Sequence, residues 1–474
     1  MPRRYLRPGC PSDELRDDFR LIREQLGVEV GFPAEVDEQA AAIASRAGRR
    51  GPTPLLRTAT RRDMTDVEFV TVDPAGSLDL DQAMHLSEHG AGFRVRYAIA
   101  DVGAFVERGS AVEAEAWKRG VTVYCPDARA PLYPTVISEG AASLLEGQVR
   151  PAIVFVIDID GEGRRVGAAV ERAVVRSRAQ LAYGDAVIPH LETIGRLRQR
   201  QARVRGSVRL DAPAQQVVPD ESSPTGYVLE FEPRLPVEDW NAEISLLAGM
   251  TAAELMIERR LGLLRTMGGA DDYRVEQLRR SARALGVAWP ADEDFDDFVS
   301  GLDPAHPRQA VLLQEARGVM GHAGYAFFDG EPDATMTHAG IAAHYAHTTA
   351  PLRRLQDRYV LEHLVGDGDR SALQALPPVM EDAGRRAASV ERAVIDAAEI
   401  RMLEHRVGDA FSAVPLDHDR RGTVIQLVDP PVKARLHDTP EPELGEPVRV
   451  RLTRADPRSR SLEFHLAHDS SAGS

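Results

Sequence analysis

Apolar residues near the start of the chain recur at every third or fourth position, as they do on one face of a helix. This spacing predicts a helix over residues 12–26 that ends at Gly27, and a second helix over residues 33–47. The apolar stripes consist of Leu15, Phe19, Ile22 and Leu26 in the first helix and of Val36, Ala40 and Ile43 in the second. Residues 1–60 are therefore expected to form a small helical segment, too short and too helical to contain a pair of β-barrels.

From residue 61 the pattern changes to strands that are followed by long helices. Short apolar runs predict strands at residues 67–73, 93–102 and 151–160. Longer runs with helical spacing predict helices at residues 240–261, 308–323, 351–365 and 378–406. Because the strands come first and the helices later, residues 61–406 are expected to form one large domain of the α+β class.

The last part of the chain, residues 407–474, has a different pattern. Short strands separated by Gly, Pro and Asp are predicted at residues 410–415, 422–428, 431–437, 446–453 and 459–466. This arrangement is typical of a small OB-type or S1-like β-barrel. In residues 448–453, apolar and basic side chains alternate, so one face belongs to the barrel core. The other face suits either a phosphate backbone or plain solvent, and the sequence leaves both open.

Composition restricts the class of protein. A chain of 474 residues with 43% hydrophobic residues can bury a large core, so it is not a disordered protein. Its net charge of −15 argues against a nucleic-acid coat protein, but an enzyme with a local basic channel remains compatible with it. Cys10 and Cys125 are its only cysteines, which favours a reducing compartment and hence the cytoplasm. We find neither a signal peptide nor an apolar run near the roughly 18 residues of a membrane span, so no membrane association is expected.

The stretch TVDPAGSLDLDQAMHL, residues 71–86, contains a cluster of candidate metal-ligating residues. It places Asp73, Asp79 and Asp81 close together at the end of a predicted strand, and Gln82 follows them. Like charges at such spacing repel each other unless a cation lies between them, and Mg²⁺ prefers hard oxygen ligands of this kind. Such a cluster suits a two-metal site for phosphoryl transfer. An acidic surface turn is the alternative interpretation of these residues taken alone.

Several motifs in a fixed order make the pattern specific. They are DPAGSLDLD (73–81), YAIADVGAFV (97–106), VTVYCPDARAPLYPTVISEGAASL (121–144), WNAEISLLAGMTAAELM (240–256) and AHYAHTTAPLRRLQDRYVLEHL (343–364). Together they resemble the ribonuclease II/RNB exoribonuclease family, whose H-x-T-S-P-I-R-R-Y-x-D signature is similar to the last of them. The resemblance covers roughly residues 66–406. It implies a Mg²⁺-dependent 3′→5′ exoribonuclease that threads single-stranded RNA through a channel and releases nucleoside 5′-monophosphates.

The resemblance also implies roles for individual residues. The metal-site positions are Asp73, Asp79, Asp81 and Gln82, of which Asp81 matters most for the chemistry. Arg353 matches the arginine that grips the scissile phosphate, and Tyr124 matches the aromatic residue beside the 3′-terminal nucleotide. With Asp81, these two are the expected catalytic residues. The expected RNA-binding residues are Tyr124, Glu243, Arg353, Arg354 and Glu391. Mn²⁺ is a possible substitute for Mg²⁺, and the expected protein is a monomer without preference for DNA.

Two departures from the family pattern keep alternatives open. The aspartate run of the family usually ends D-x-D-D, whereas Asp81 is followed here by Gln82. The family also usually carries two cold-shock barrels ahead of the catalytic domain, where residues 1–60 are helical by pattern. One alternative is a catalytically weakened RNA-binding protein on the same fold; another is a metal phosphodiesterase for a small nucleotide. The histidines at 338, 344 and 347 lack a zinc motif, so we interpret them as structural or channel residues.

Overall fold

A computed structural model describes residues 13–49, 61–184, 187–208, 214–219, 227–232, 235–303, 306–420, 422–428, 430, 432–437, 441–457 and 459–467. Its helices are α1 (Asp13–Gln25), α2 (Ala34–Arg49), α3 (Ala111–Arg119), α4 (Leu191–Arg205), α5 (Pro236–Glu258), α6 (Asp272–Ala284), α7 (Phe295–Ser300), α8 (Pro307–Val319), α9 (Leu355–Leu364) and α10 (Arg370–Glu404). The strands before α5 are β1 (Arg62–Asp73), β2 (Gln82–His89), β3 (Gly92–Ala100), β4 (Val123–Tyr124), β5 (Arg129–Ala130), β6 (Val149–Ile159), β7 (Arg165–Ala182), β8 (Ala214–Pro219) and β9 (Tyr227–Glu232). The later strands are β10 (Leu261–Met267), β11 (Ala323–Asp329), β12 (Ala410–Asp419), β13 (Gly422–Leu427), β14 (Lys433–Leu436), β15 (Val448–Asp456) and β16 (Ser461–Leu466).

The N-terminal residues form the two predicted helices. Leu15, Phe19 and Ile22 of α1 are buried, as the stripe predicted, and they pack against α10 and the β4–β5 hairpin. The stripe of α2 is buried as well, in the main core of the protein. Ser12, at the predicted start of the first helix, lies outside the described residues.

The first strands of the large domain close into a barrel, which the sequence did not predict. Its order is β1-β2-β3-β6-β7, and β1 pairs with β2 antiparallel and with β7 parallel. Phe69, Tyr97 and Phe155 are among its fully buried side chains. β7 was missed because its sequence is rich in Ala and Arg, which are poor indicators of a strand.

Several helix boundaries differ from the prediction. The helix predicted at residues 240–261 is α5, which spans Pro236–Glu258, and the one predicted at residues 308–323 is α8, which ends at Val319. The last helix was expected to begin at residue 378, but α10 begins at Arg370 and contains Pro377 and Pro378. Asp369 caps it by accepting hydrogen bonds from the backbone N–H groups of Ser371 and Ala372, so the helix starts ahead of the prolines. The helix predicted from residue 351 begins only at Leu355, because residues 351–353 form a turn ahead of it.

The C-terminal strands close into a second barrel, in the order β12-β13-β14-β16-β15. Val450 and Leu452 are fully buried, while Arg449 and Arg451, which alternate with them, are exposed, as the alternation predicted. The α+β fold class with a small terminal barrel is therefore confirmed. Among the helices that the structure describes, none is both long enough and apolar enough to cross a bilayer.

Candidate active site

The aspartate-rich loop connects β1 to β2 and is fixed by a tight turn. Gly76 has a φ of +81°, a conformation that favours glycine. The Ser77 hydroxyl donates to the carbonyl oxygen of Pro74 at 2.8 Å, and the Gln180 side chain of β7 donates to the Ser77 carbonyl at 2.6 Å. The barrel strand β7 therefore holds the turn that precedes Asp79.

A buried serine holds the second half of this loop. The Ser143 hydroxyl donates to the carbonyl oxygen of Leu78 at 2.6 Å and accepts from the backbone N–H of Leu80 at 3.0 Å. The next residue, Leu144, donates its N–H to the Leu80 carbonyl at 3.0 Å. These bonds fix the backbone on both sides of Asp79. Sequence reasoning missed Ser143, although it lies within one of the family-like motifs.

Asp81 connects the aspartate motif at residues 73–81 with the arginine motif at residues 343–364. Its side chain is 3% exposed, and its carboxylate accepts from the backbone N–H of Leu352 at 2.7 Å and from Nε of Arg353 at 2.9 Å. Burial raises the pKa of Asp81 to about 7; the positive charge of Arg353 opposes this rise, and the negative charge of Asp79 adds to it. Asp79, Asp81 and Arg353 therefore share one electrostatic environment.

The turn that carries Arg353 is fixed by a second buried carboxylate. Asp357, in the first turn of α9, is fully buried and accepts from the backbone N–H of Ala350 at 2.7 Å. It also accepts from Nε of Arg354 at 3.1 Å and from Nη2 at 2.7 Å. The Arg353 carbonyl in turn accepts from the N–H of Thr122, at the start of the segment that leads to Tyr124.

Tyr124 lies on the other side of Asp79. Its hydroxyl donates to Oδ2 of Asp79 at 3.4 Å, and its side chain is 37% exposed. Arg129, its partner across the β4–β5 hairpin, lies 3.4 Å from Oδ1 of the same carboxylate and also forms an ion pair with Glu139. Neither Arg129 nor Glu139 was among the predicted residues. Both lie within the family-like motif at residues 121–144, which was the available signal.

Comparison with known proteins identifies the family. The model of the RNB domain matches residues 61–365, and that of the RNase II-type exonuclease C-terminal S1 domain matches residues 409–467. The chain belongs to the RNB family. Ribonuclease R of Thermotoga maritima is 24% identical to it over 466 residues, which covers 88% of this chain and 62% of the relative. Exoribonuclease 2 of Mannheimia succiniciproducens is 35% identical over 147 residues, covering 30% of this chain and 22% of the relative. The RNB chain spans 53–62% of the length of the ribonuclease R relatives from Thermotoga, Aquifex and Mycoplasma.

Solved structures share the fold. Apo RNase R of Mycoplasma genitalium superimposes with a TM-score of 0.81 at 20% identity, covering 96% of the RNB chain and 78% of the other. The same enzyme in complex with ribose-methylated single-stranded RNA gives a TM-score of 0.82, also at 20% identity and with the same coverage of both chains. Yeast Ssd1, described as a pseudonuclease, gives 0.65 at 17% identity, covering 90% of this chain and 59% of that one. The fold is thus shared by an RNase R that was solved in complex with RNA and by a protein described as a pseudonuclease.

The other predicted residues of the RNB chain lie on β1, α5 and α10. Asp73 ends β1, and its charge adds to the effect of burial in raising the pKa of Tyr97 in the barrel. Glu243 is buried on α5, near enough to Arg198 of α4 for its charge to oppose the effect of burial, which lowers the pKa of that arginine to about 10. Glu391 follows Val390 on α10, and Val390 packs in the same cluster as Val123 of β4.

The side-chain oxygens of Asp81 and Gln82 are ligands of the kind that a hard cation prefers. In the part of the chain that the structure describes, no group of three or more His, Cys, Asp or Glu side chains is arranged to hold a metal ion. The side-chain oxygen of Gln82, however, is buried and has no hydrogen-bond partner. Because burial and the charge of Asp79 disfavour the ionised form of Asp81, a cation nearby would stabilise it. Carboxylate and amide oxygens of this kind fit Mg²⁺ that is shared with a substrate phosphate.

The histidines show no zinc site among the described residues. His347 is buried, with Nδ1 3.0 Å from the hydroxyl of Tyr325. Burial holds its pKa well below the ordinary value, and the charges of Arg354 and Arg265 act in the same direction. These contacts agree with the structural interpretation of His347.

Proposed function

We propose that this chain is a 3′→5′ exoribonuclease that hydrolyses single-stranded RNA to nucleoside 5′-monophosphates with Mg²⁺, or with Mn²⁺ in its place. The main support is the contact between Asp81 and Arg353, which are 272 positions apart in sequence. It brings the aspartate motif and the arginine motif of an RNB domain into one site, with Tyr124 at its edge. Phosphoryl transfer depends mainly on positioning and on charge stabilisation, and this site offers both.

Arg353 is proposed to stabilise the reacting phosphate. Asp81 holds it through Nε, which fixes the plane of the guanidinium group. A planar arginine fork matches two phosphate oxygens, and its charge offsets the negative charge that grows on them in the transition state. Arg354, fixed by Asp357, is proposed to bind RNA beside it.

Tyr124 is proposed to hold the 3′-terminal nucleotide. Its side chain is 37% exposed, while its hydroxyl reaches Asp79. An aromatic ring can stack on any base, so binding at this position does not select a sequence. Glu243 and Glu391 are proposed as further RNA contacts near the site.

Asp73, Asp79, Asp81 and Gln82 are the proposed metal ligands. When bound there, Mg²⁺ would supply positive charge to the attacking and leaving oxygens of the phosphate. Asp81 must be ionised to take part, and the fixed charge of Arg353 favours that form. The neutral Gln82 contributes an oxygen ligand without charge.

The remaining parts of the proposal concern the whole chain. We place the domain boundaries after residues 60 and 406, which gives a helical segment, a catalytic domain and an S1-like barrel; the matches at residues 61–365 and 409–467 support this division. We also propose a cytoplasmic monomer without preference for DNA. Cys125 supports a reducing compartment, since it is a free, buried thiol.

The test is release of mononucleotides from a 3′-labelled single-stranded RNA by wild type and by Asp81→Asn. We expect the variant to lose hydrolysis and to keep most of its RNA affinity, because binding is spread over a channel. Asp17→Asn, an exposed position on α1, is the control and should behave as wild type. Near-normal turnover of Asp81→Asn, with contaminating metal and nuclease excluded, contradicts the proposal.

A second candidate function is RNA binding without hydrolysis. Gln82 favours it, because the site has one negative charge fewer than the family pattern D-x-D-D. If wild type releases no mononucleotide at any Mg²⁺ or Mn²⁺ concentration while Gln82→Asp does, this second function is correct. Hydrolysis of a dinucleotide but not of longer RNA would instead indicate the small-nucleotide phosphodiesterase.

A further inference from the structure

The hairpin that carries Tyr124 is too small to be stable alone. β4 and β5 have two residues each, and the turn between them is closed by a hydrogen bond from the N–H of Cys125 to the carbonyl of Ala128 at 2.9 Å. An isolated two-stranded hairpin is only marginally stable in water. The position of the Tyr124 ring therefore depends on what packs against the hairpin.

Helix α1 covers one side of this hairpin. Phe19 and Ile22 of α1 form one buried cluster with Val123, Cys125 and Ala130. Three of these five side chains thus belong to the hairpin strands or to the turn that joins them. The N-terminal helix therefore contributes apolar surface to the element that presents Tyr124.

An arginine fork fixes the turn of the hairpin to α1. Arg23 donates from Nη1 to Oδ1 of Asp127 at 2.5 Å and from Nη2 to Oδ2 at 2.9 Å. The two side chains are only 9% and 11% exposed. A buried, bidentate pair of this kind fixes distance and orientation together, unlike a mobile surface ion pair.

A second arginine pair holds the same helix to a different partner. Nε of Arg401, on α10, donates to Oδ2 of Asp18 at 2.6 Å, and the side chains are 19% and 15% exposed. Arg23 therefore holds α1 to the hairpin, and Arg401 holds it to α10. The second pair secures the helix without touching the element that carries Tyr124.

We propose that Arg23 and Asp127 are positioning residues for the 3′-terminal nucleotide: α1 holds the hairpin so that the Tyr124 ring stays beside Asp79. The inference rests on the proposed role of Tyr124. The 3.4 Å contact between the Tyr124 hydroxyl and Asp79 is the alignment that the fork maintains. The N-terminal helix thus acts in substrate binding although none of its residues needs to touch RNA.

The experiment compares two RNAs that differ only in their 3′-terminal residue, which either carries a base or is abasic. Their dissociation constants are measured by anisotropy on the full chain with Mg²⁺, in an Asp81→Asn background that prevents hydrolysis. Stacking on an aromatic side chain contributes about 1–3 kcal/mol per base, which corresponds to about a 5- to 150-fold preference for the RNA with the base. Tyr124→Ala should reduce this ratio to about one.

Arg23→Ala and Arg401→Ala form the matched pair of variants, because each removes one of the two partly buried arginine–aspartate pairs described above. Both should lower the melting temperature. Only Arg23→Ala should lower the base-to-abasic ratio, by at least about threefold, towards that of Tyr124→Ala. The reciprocal exchange, Arg23→Asp with Asp127→Arg, should restore part of the ratio, and it provides a second reading if Arg23→Ala folds poorly.

Three results overturn the inference, and they are distinguishable. In the first, Tyr124→Ala lowers the base-to-abasic ratio, but Arg23→Ala, the exchange variant and Arg401→Ala all keep the wild-type ratio. In that case α1 only stabilises the fold. If Tyr124→Ala itself leaves the ratio unchanged, the proposed role of Tyr124 fails, and the inference fails with it. A low ratio in Arg401→Ala equal to that in Arg23→Ala also contradicts a specific role for the fork.

Discussion

Ser143 gives the most direct test of how the aspartate loop is held. Ser143→Ala removes the hydroxyl that donates to the Leu78 carbonyl and accepts from the Leu80 N–H. Ser143 is fully buried, so water cannot easily replace these bonds. Each net hydrogen bond contributes about 1 kcal/mol, and a buried N–H left without a partner costs about 1–3 kcal/mol. We therefore expect the loop to lose about 2–3 kcal/mol of local stability.

Hydrogen exchange followed by mass spectrometry measures this loss at the loop itself. A local loss of about 2–3 kcal/mol corresponds to a drop of about 30- to 150-fold in the protection of the Leu80 amide. Misplacement of a reacting group by about 1 Å can reduce a rate about 10²-fold, so kcat for mononucleotide release should fall by about 10- to 100-fold. KM should change less, because RNA binding is spread over a larger surface.

Ser138→Ala is the matched control. Ser138 is also buried, but its hydroxyl donates only to the Tyr133 carbonyl, at 3.3 Å, and does not touch the aspartate loop. It should leave Leu80 protection and kcat near wild type. The reasoning is refuted if Ser143→Ala keeps the protection of Leu80 and a kcat within about twofold of wild type, or if both serine variants reduce kcat equally.

Three further predictions concern the same site and its support. Arg353→Lys should lower kcat by about 10²–10³-fold in single-turnover assays, because lysine keeps the charge but loses the planar fork; a wild-type kcat would show that Arg353 has no such role. Gln82→Asp should reach its half-maximal rate at lower Mg²⁺ in a metal titration, because it adds a charged ligand; an unchanged titration curve would remove Gln82 from the metal site. The melting temperature should fall as the pH drops below 6.5, because buried His347 stays neutral in the fold, while the unfolded chain takes up a proton. The melting temperature of His347→Gln should fall less steeply with pH than that of wild type. Equal slopes in the variant and in wild type would show that His347 does not cause the fall.

Local sequence patterns predicted the parts of the fold that depend on nearby residues. The stripe Leu15, Phe19 and Ile22 predicted both α1 and its buried face, because helical spacing alone defines them. The alternation around Val450 and Leu452 likewise predicted the inward face of β15. The first barrel was missed, because its closure depends on the parallel pairing of β1 with β7, about a hundred residues later. No local pattern carries that information.

Some residues of the candidate site could be predicted from the sequence, and others became visible only in the structure. Motif resemblance supplied Asp81, Arg353 and Tyr124, which the structure brings together around Asp79. It did not supply Ser143, because a serine hydroxyl that bonds to two backbone groups leaves no distinctive spacing in the sequence. Arg23 and Asp127 were missed for a related reason. They lie 104 positions apart and meet only because α1 folds over the hairpin.

The separation of Asp81 and Arg353 along the chain also has a consequence for biosynthesis. The ribosome makes the aspartate loop first, and a further 272 residues must follow before the partner arginine exists. During translation the emerging polypeptide therefore contains Asp81 before it contains the Arg353 guanidinium group that bonds to it. The proposed site for RNA hydrolysis therefore stays incomplete until synthesis has reached Arg353.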